Sequence, residues 1–359
     1  MPLSAMLYLS AIGTAIAAIA LLYPLSVRIG LVDIPRGRKQ HQGAVPLIGG
    51  IATYCGLALA LLFFGDTELQ PLYFLACSGA IVLLGAFDDY LDLSVKLRLA
   101  VQALVALAMT WSLDLHLASL GNLFGMGVIE LGLLGLPITL LAVIAAINAF
   151  NMTDGIDGLA GMLSLVSFSS IAIFMALWGQ QGYAALPLLL ALTLLPYLAC
   201  NLNLIPGYRI FMGDAGSMLI GLSVIWMLIV GTQSESASFR PVTALWLIAI
   251  PLMDMVAIML RRIRKGQSPF KADREHLHHI SLRLGLTSRE SLTLITALAC
   301  IFASIGIIGE YLLLPDWFML ALFLLLFAAY IYLLQHIWRI ISHLRHKRTQ
   351  RHLPKAVKR

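Results

Sequence analysis

The sequence predicts an all-α polytopic membrane protein with about eleven transmembrane helices, and three observations predict it. Apolar runs of about 20 residues, the length that crosses a bilayer as a helix, recur along nearly the whole chain. Only 12% of the 359 residues are charged, where a soluble globular domain carries roughly 25%. The basic residues also segregate to one side of the resulting span pattern, as membrane topology requires. A soluble protein with an unusually apolar core would not repeat such runs from end to end.

The spans are expected at about 3–25, 47–65, 71–87, 98–114, 134–150, 158–178, 184–200, 213–231, 241–260, 291–313 and 318–338. The first run starts at Pro2 and has neither a basic leader nor a clear cleavage site, so it reads as a retained span. With these spans, the loops at 28–46, after the third span, before the eighth and at 261–290, together with the tail, hold every lysine and arginine except Arg240. The positive-inside rule makes that side cytoplasmic. The N-terminus is then periplasmic and the C-terminus cytoplasmic. Residues 1–340 form one membrane domain, and 341–359 form a basic cytoplasmic tail that anchors on anionic lipid. Membrane lipid is thus the partner of the basic excess, and no nucleic-acid partner is expected. The segment 115–133 lies outside, is too polar to span, and suits a short hairpin. Cys55, Cys77, Cys200 and Cys300 sit singly in apolar runs, which suggests packing and implies neither disulfide nor zinc.

The acidic residues carry the functional signal. Outer acids are scattered singly at span ends, as solvated loops allow. Inner acids cluster, and ionisable groups at membrane depth are functional candidates. NAFNMTDGIDGLAG (148–161) places Asn148, Asn151, Asp154 and Asp157 between two apolar runs. On a helix, residues 151, 154 and 157 would share one face, and the glycines would admit a ligand or a neighbouring helix. GAFDDYLD (85–92) offers Asp88, Asp89 and Asp92, oxygen ligands suited to a divalent cation or a base beside one. RIFMGDAGSMLIG (209–221) sets Asp214 among glycines at a helix start, which suits a metal ligand with phosphate nearby. It lacks the Gly-Lys-Ser/Thr of a nucleotide-hydrolysing loop. RRIRKGQSPFKADREHLHH (261–279) joins basic residues to His276, His278 and His279, a set that can grip a diphosphate and position acid or hydrogen-bonding groups. Zinc is the alternative for these histidines, but no cysteine accompanies them. Asp254 lies deeper, within the ninth span. Together the clusters place carboxylates, basic groups and histidines on the cytoplasmic face, where a soluble phosphorylated compound could meet a lipid. A cation-coupled transporter, the alternative reading, would set its polar groups near the bilayer midplane.

With DIPRGRKQHQGAVPLIGG (33–50) and NLNLIPGYRIFMGDAGS (201–217) added in order, the chain resembles the polyprenyl-phosphate N-acetylhexosamine-1-phosphate transferases over nearly its whole length. It is most similar to the bacterial undecaprenyl-phosphate N-acetylglucosamine-1-phosphate branch, which begins O-antigen and enterobacterial common antigen synthesis. His-Leu-His-His replaces the three consecutive histidines of the peptidoglycan branch. That branch also places an asparagine where this chain has Leu204, and neither Asn201 nor Asn203 is assigned its contact.

The resemblance implies an inner-membrane enzyme that joins a UDP-N-acetylhexosamine to undecaprenyl phosphate with Mg²⁺ or Mn²⁺ and releases UMP. It implies Asp88 as base with Asp89 beside it, Asp214 and Asp89 at the metal, and Phe211 stacked on uracil. Asn151, Asp154 and Asp157 would line the nucleotide end. Arg261, Arg262, Arg264, His276, His278 and His279 would face the diphosphate or sugar, with His278 and His279 closest to the chemistry. Lys39 and His41 would reach the same pocket. N-acetylglucosamine is the expected sugar, ahead of N-acetylgalactosamine, N-acetylfucosamine and N-acetylquinovosamine. One-step transfer and a route through an aspartyl-phosphate both fit the sequence. Relatives' habits point to a homodimer. A CDP-alcohol phosphotransferase would need an arginine that DGLAGM, starting at Asp157, lacks.

Overall fold

A computed structural model of the chain describes residues 3–35, 43–64, 71–178, 181–235, 237–269 and 275–352. The fold is built from α1 (Leu3–Ile29), α2 (Gly49–Phe64), α3 (Pro71–Leu91), α4 (Val95–Leu113), α5 (Gly135–Thr153), α6 (Leu159–Leu177), α7 (Gln181–Asn201) and α8 (Gly213–Gln233). Then follow α9 (Pro241–Leu247), α10 (Ala249–Arg264), α11 (Leu277–Arg283), α12 (Ser288–Tyr311) and α13 (Asp316–His352). A two-residue ladder pairs β1 (Val32–Asp33) antiparallel with β2 (Val45–Pro46).

Among the described residues, nine helices are long and apolar enough to cross a membrane. Two expected crossings take other forms. The one at 47–65 is α2, a shorter apolar helix. The one at 241–260 is α9 and α10, which meet at 84°. Pro251 accounts for the break, because its ring clashes with the carbonyl four residues back and it has no N–H to offer. That carbonyl belongs to Leu247, and the Ser167 hydroxyl donates to it instead at 2.8 Å. Helix α13 runs through position 340 to His352.

Helix α8 is the hub. Its sequence has no polar face, and a helix that is apolar all round belongs inside. It is buried continuously from Ala215 to Gly231. Small residues let backbones close on it, as they do between membrane helices. A methyl group on Gly85 of α3 would stand 2.3 Å from the Ala215 nitrogen. One on Gly50 of α2 would stand 2.1 Å from the Gly216 Cα. Further along, Trp226 meets Phe74 of α3 edge-on at 5.1 Å.

The bundle therefore has two polar ends. At one, α3 and α5 finish where α8 starts. At the other, α8 finishes against a short hairpin, as expected for 115–133. Ser119 bridges Glu130 there, and Gln233 accepts from the Ala118 and Ser119 amides at 3.0 and 3.3 Å. This second end also holds an ion-pair cluster. Arg240 pairs with Glu310 at 3.0 Å and Asp316 at 2.7 Å, while the Asn122 amide donates to Asp316 at 2.8 Å.

Arg240→Met leaves Glu310 and Asp316 buried without a cation. Because Arg240 keeps partial exposure, the expected loss is about 2–3 kcal/mol, below the full cost of breaking a buried pair. Thermal unfolding in detergent checks this, and an unchanged Tm would deny the cluster a structural role.

Candidate active site

The close approach at Gly85 fixes where the last turns of α3 aim. Asp88 and Asp89 are three and four residues on, so they share its face and reach the start of α8. An α-helix leaves its first four amides without partners, and Met212, at the N-cap of α8, has no side chain that can cap them. Asp89 does so from the neighbouring helix. Its Oδ1 accepts from the Asp214 amide at 3.0 Å and its Oδ2 from the Ala215 amide at 3.4 Å. A carboxylate there is also favoured by the helix dipole.

Asp88 is buried, and its two oxygens are engaged by the Leu93 amide at 2.9 Å and by Arg98 Nη1 at 2.5 Å. The same guanidinium lies 3.9 Å from Asp214 Oδ2. Asp214 Oδ1 accepts from Asn151 Nδ2 at 2.8 Å, and that nitrogen also donates to Ser217 at 3.0 Å. Residues of α3, α4 and α5 thus converge on the start of α8. Arg98 was not among the expected site residues, since its sequence signal is that of an ordinary inner-loop cation. Its helix is docked one turn later, where fully buried Gln102 accepts from Asn148 at 2.8 Å. Asp92 is not brought in: it lies just past the end of α3, exposed, with a φ of 52°.

The expected helical face at 151, 154 and 157 does not form, because α5 ends at Thr153 and the glycines turn the chain. Asn151 stays on the helix, Asp154 caps it, and Asp157 sits in the turn. Desolvation pushes Asp154 up to about 7, helped by the charges of Asp214 and then Asp157, so the turn still delivers its carboxylate to the cluster. Asp157 pairs with Arg209 at 2.6 Å, and Arg209 lies over the Phe211 ring at 5.4 Å. Phe211 is held by backbone bonds to Pro46 and Gly49 at 2.8 and 2.9 Å. Asn201 is a pin: it accepts from the Gly158 amide at 2.5 Å and donates to the Ile210 carbonyl at 2.8 Å.

The histidines reach this turn. His278 is buried, and a methyl on Gly155 would stand 2.0 Å from its Nε2. Its ring centroid lies 5.5 Å from that of His276, nearly parallel, and 4.2 Å from that of His279. Burial, then the neighbouring imidazoles of His279 and His276, hold His278 down to about 3. The arginines serve their own loop. Arg261 and Lys265 pair with Glu275, Arg262 is buried and donates to the Pro269 carbonyl, and Arg264 is exposed. Lys39 and His41 lie outside the described residues.

The donor set suits Mg²⁺ better than zinc. Among the described residues, no three His, Cys, Asp or Glu side chains form a metal cage. Mg²⁺ needs no cage, because it is held by one or two carboxylates and takes the rest of its shell from phosphates and water. Asp214, 35% exposed, and Asp154 beside it offer such oxygens. Asp89 offers less, since both of its oxygens already face amides.

Fold and site together define a multi-pass membrane protein with an acidic, arginine-backed centre at one end of its bundle. The profile of glycosyl transferase family 4 matches residues 71–232, which span α3 to α8 and every carboxylate of that centre. Proteins described as undecaprenyl-phosphate alpha-N-acetylglucosaminyl 1-phosphate transferase are similar over most of the chain. The one from Yersinia pestis is 47% identical over 93% of this chain and 92% of its own length. The one from Escherichia coli (strain K12) is 48% identical over 91% and 89%, and that from Haemophilus influenzae is 45% identical over 95% and 97%. The chain belongs to this family of phosphoglycosyltransferases.

The His278 environment has a consequence for stability. Above its ordinary value of 6.5 the imidazole is neutral whether the chain is folded or not. Between 6.5 and about 3 only the unfolded chain takes up the proton, so stability falls as pH falls. In His278→Gln, the drop in Tm from about pH 7 to about pH 5 is expected to be smaller than in the wild type. Equal drops would place His278 in water.

Proposed function

We propose that the chain transfers N-acetylglucosamine 1-phosphate from UDP-N-acetylglucosamine to undecaprenyl phosphate, yielding UMP and undecaprenyl-diphospho-N-acetylglucosamine. The observation that carries this reading is the convergence of Asp88, Asp89, Arg98, Asn151 and Asp214 on one end of α8, inside the family-matched segment. The relatives' names supply the acceptor and the transferred group. The distribution of lysine and arginine supports eleven crossings, a periplasmic N-terminus and a centre on the cytoplasmic face of a bacterial inner membrane. There the product would begin an O-antigen or enterobacterial common antigen type of glycan.

The reaction needs positioning more than covalent chemistry. An oxygen of the lipid phosphate attacks the β-phosphorus, the bond from that phosphorus to the bridging oxygen breaks, and UMP leaves with the bridging oxygen. The lipid phosphate loses its second proton near pH 6, as other phosphomonoesters do, so it is already a nucleophile at neutral pH. Asp88 then serves mainly to aim Arg98, whose guanidinium suits an incoming phosphate. Mg²⁺, held by Asp214 and Asp154 with Asp89 next to them, would neutralise charge on the diphosphate. Phe211 and Asp157 flank the place for the uridine. The turn at 154–158 and the histidines seated on it close the sugar side.

The test is UMP release by purified protein with undecaprenyl phosphate, a panel of UDP-N-acetylhexosamines and controlled Mg²⁺. Release is expected to require Mg²⁺, to be fastest with UDP-N-acetylglucosamine, and to vanish in Asp214→Ala. No release with any sugar from folded protein would sink the reading. In the same assay, Arg98→Met should lower kcat about 10²-fold, the usual scale for one preorganised charge. Wild-type turnover in that variant would remove Arg98 from the mechanism.

A further inference from the structure

A buried acid within α10 lies apart from the acidic centre. Asp254 occupies the second turn of α10 and is 2% exposed. Its neighbours on α10, Met253, Met255, Ala257 and Ile258, are buried apolar residues. An ionisable group in such a place is costly and needs partners, and Asp254 has three. Its Oδ2 meets His276 Nδ1 at 2.8 Å. Its Oδ1 accepts from the Leu277 amide at 3.0 Å and from the Tyr330 hydroxyl at 2.8 Å. These partners come from α13 and from the start of α11.

The geometry points to Asp254 as a positioning residue for the transferase, one that seats the histidines against the turn at 154–158 and fixes the tautomer of His276. This role rests on the proposed transferase reaction. Two features support it. His276 is the N-cap of α11 but its side chain makes no capping bond, so the Asp254 carboxylate caps the first amide of that helix in its stead. A carboxylate can only accept hydrogen bonds, so Nδ1 of His276 carries the proton and Nε2 is left as the reactive nitrogen. A buried carboxylate that orients an imidazole in this way sets which nitrogen can exchange protons. From His276 the contact passes by near-parallel stacking to His278, and from His278 to Gly155, next to Asp154. Tyr330 anchors the assembly from α13. The break at Pro251 makes the arrangement possible, because it re-aims α10 away from the line of α9.

Asp254→Asn separates positioning from simple packing. Asparagine is nearly isosteric, and its carbonyl still accepts from Leu277 and Tyr330. Its NH₂ faces His276 Nδ1 and forces the other tautomer. The full-length variant is compared with the wild type in the UMP-release assay, alongside hydrogen–deuterium exchange over residues 276–283. The expected result is a kcat lower by about 10²-fold, the scale of one acid–base group. The KM for UDP-N-acetylglucosamine should stay within about threefold, and exchange should not change. A kcat within about threefold of the wild type overturns the proposal. So does a loss of kcat accompanied by faster exchange across 276–283, which would mean that α11 had come loose. Absence of UMP release from the wild type, by contrast, defeats the transferase reading itself.

Discussion

The Asp89 carboxylate under the first amides of α8 is the contact on which the site depends. Without it the central helix would begin in the bundle with unpaired N–H groups and a methionine at its cap. With it α3 and α8 are locked in register, and Asp214 stands where Arg98 and Asn151 can reach it. Glycine makes the contact possible. Any side chain at Gly85 would push α3 off the α8 backbone and lift Asp89 from its amides. The same residue therefore serves the fold and the chemistry.

The rest of the structure divides its labour around α8. Burial along the whole helix gives it a rigid axis, and the two polar ends use charge differently. At the hairpin end Arg240 is matched by two acids and the cluster closes on itself. At the other end carboxylates face one another. Asp154, Asp214 and Asp89 crowd together, and Arg98, already paired with Asp88, lies 3.9 Å from Asp214, so a divalent ion would offset the negative charge gathered there.

Much of this was legible in the sequence, for a physical reason. Bilayer hydrocarbon tolerates few polar groups, so Asp88, Asp89, Asn151, Asp154, Asp157 and Asp214 stood out against apolar runs. Other features were hidden. Arg98 carries the same letter and loop position as a topology signal, and only the packing of α4 through Gln102 reveals its partner. The turn at 154–158 looked like a helical face because spacing by threes says nothing of where glycines break the helix. Pro251 lay inside a run apolar enough to read as one span, although the chain bends by 84° between α9 and α10. Asp254 was visible as a deep acid, but its partners lie 22 and 76 residues away along the chain. Such pairings are a property of the fold alone. The expected contacts of Lys39 and His41 fall outside the described residues.

The most direct test of the central claim is the position of a bound divalent ion. Crystals of the full chain grown with Mn²⁺ and UDP-N-acetylglucosamine would give an anomalous difference map. A peak within coordination distance of the Asp214 carboxylate, with Asp89 still on the α8 amides, is the expected result. A peak on the histidines of α11, or a nucleotide sugar bound with no peak near Asp214, would contradict it.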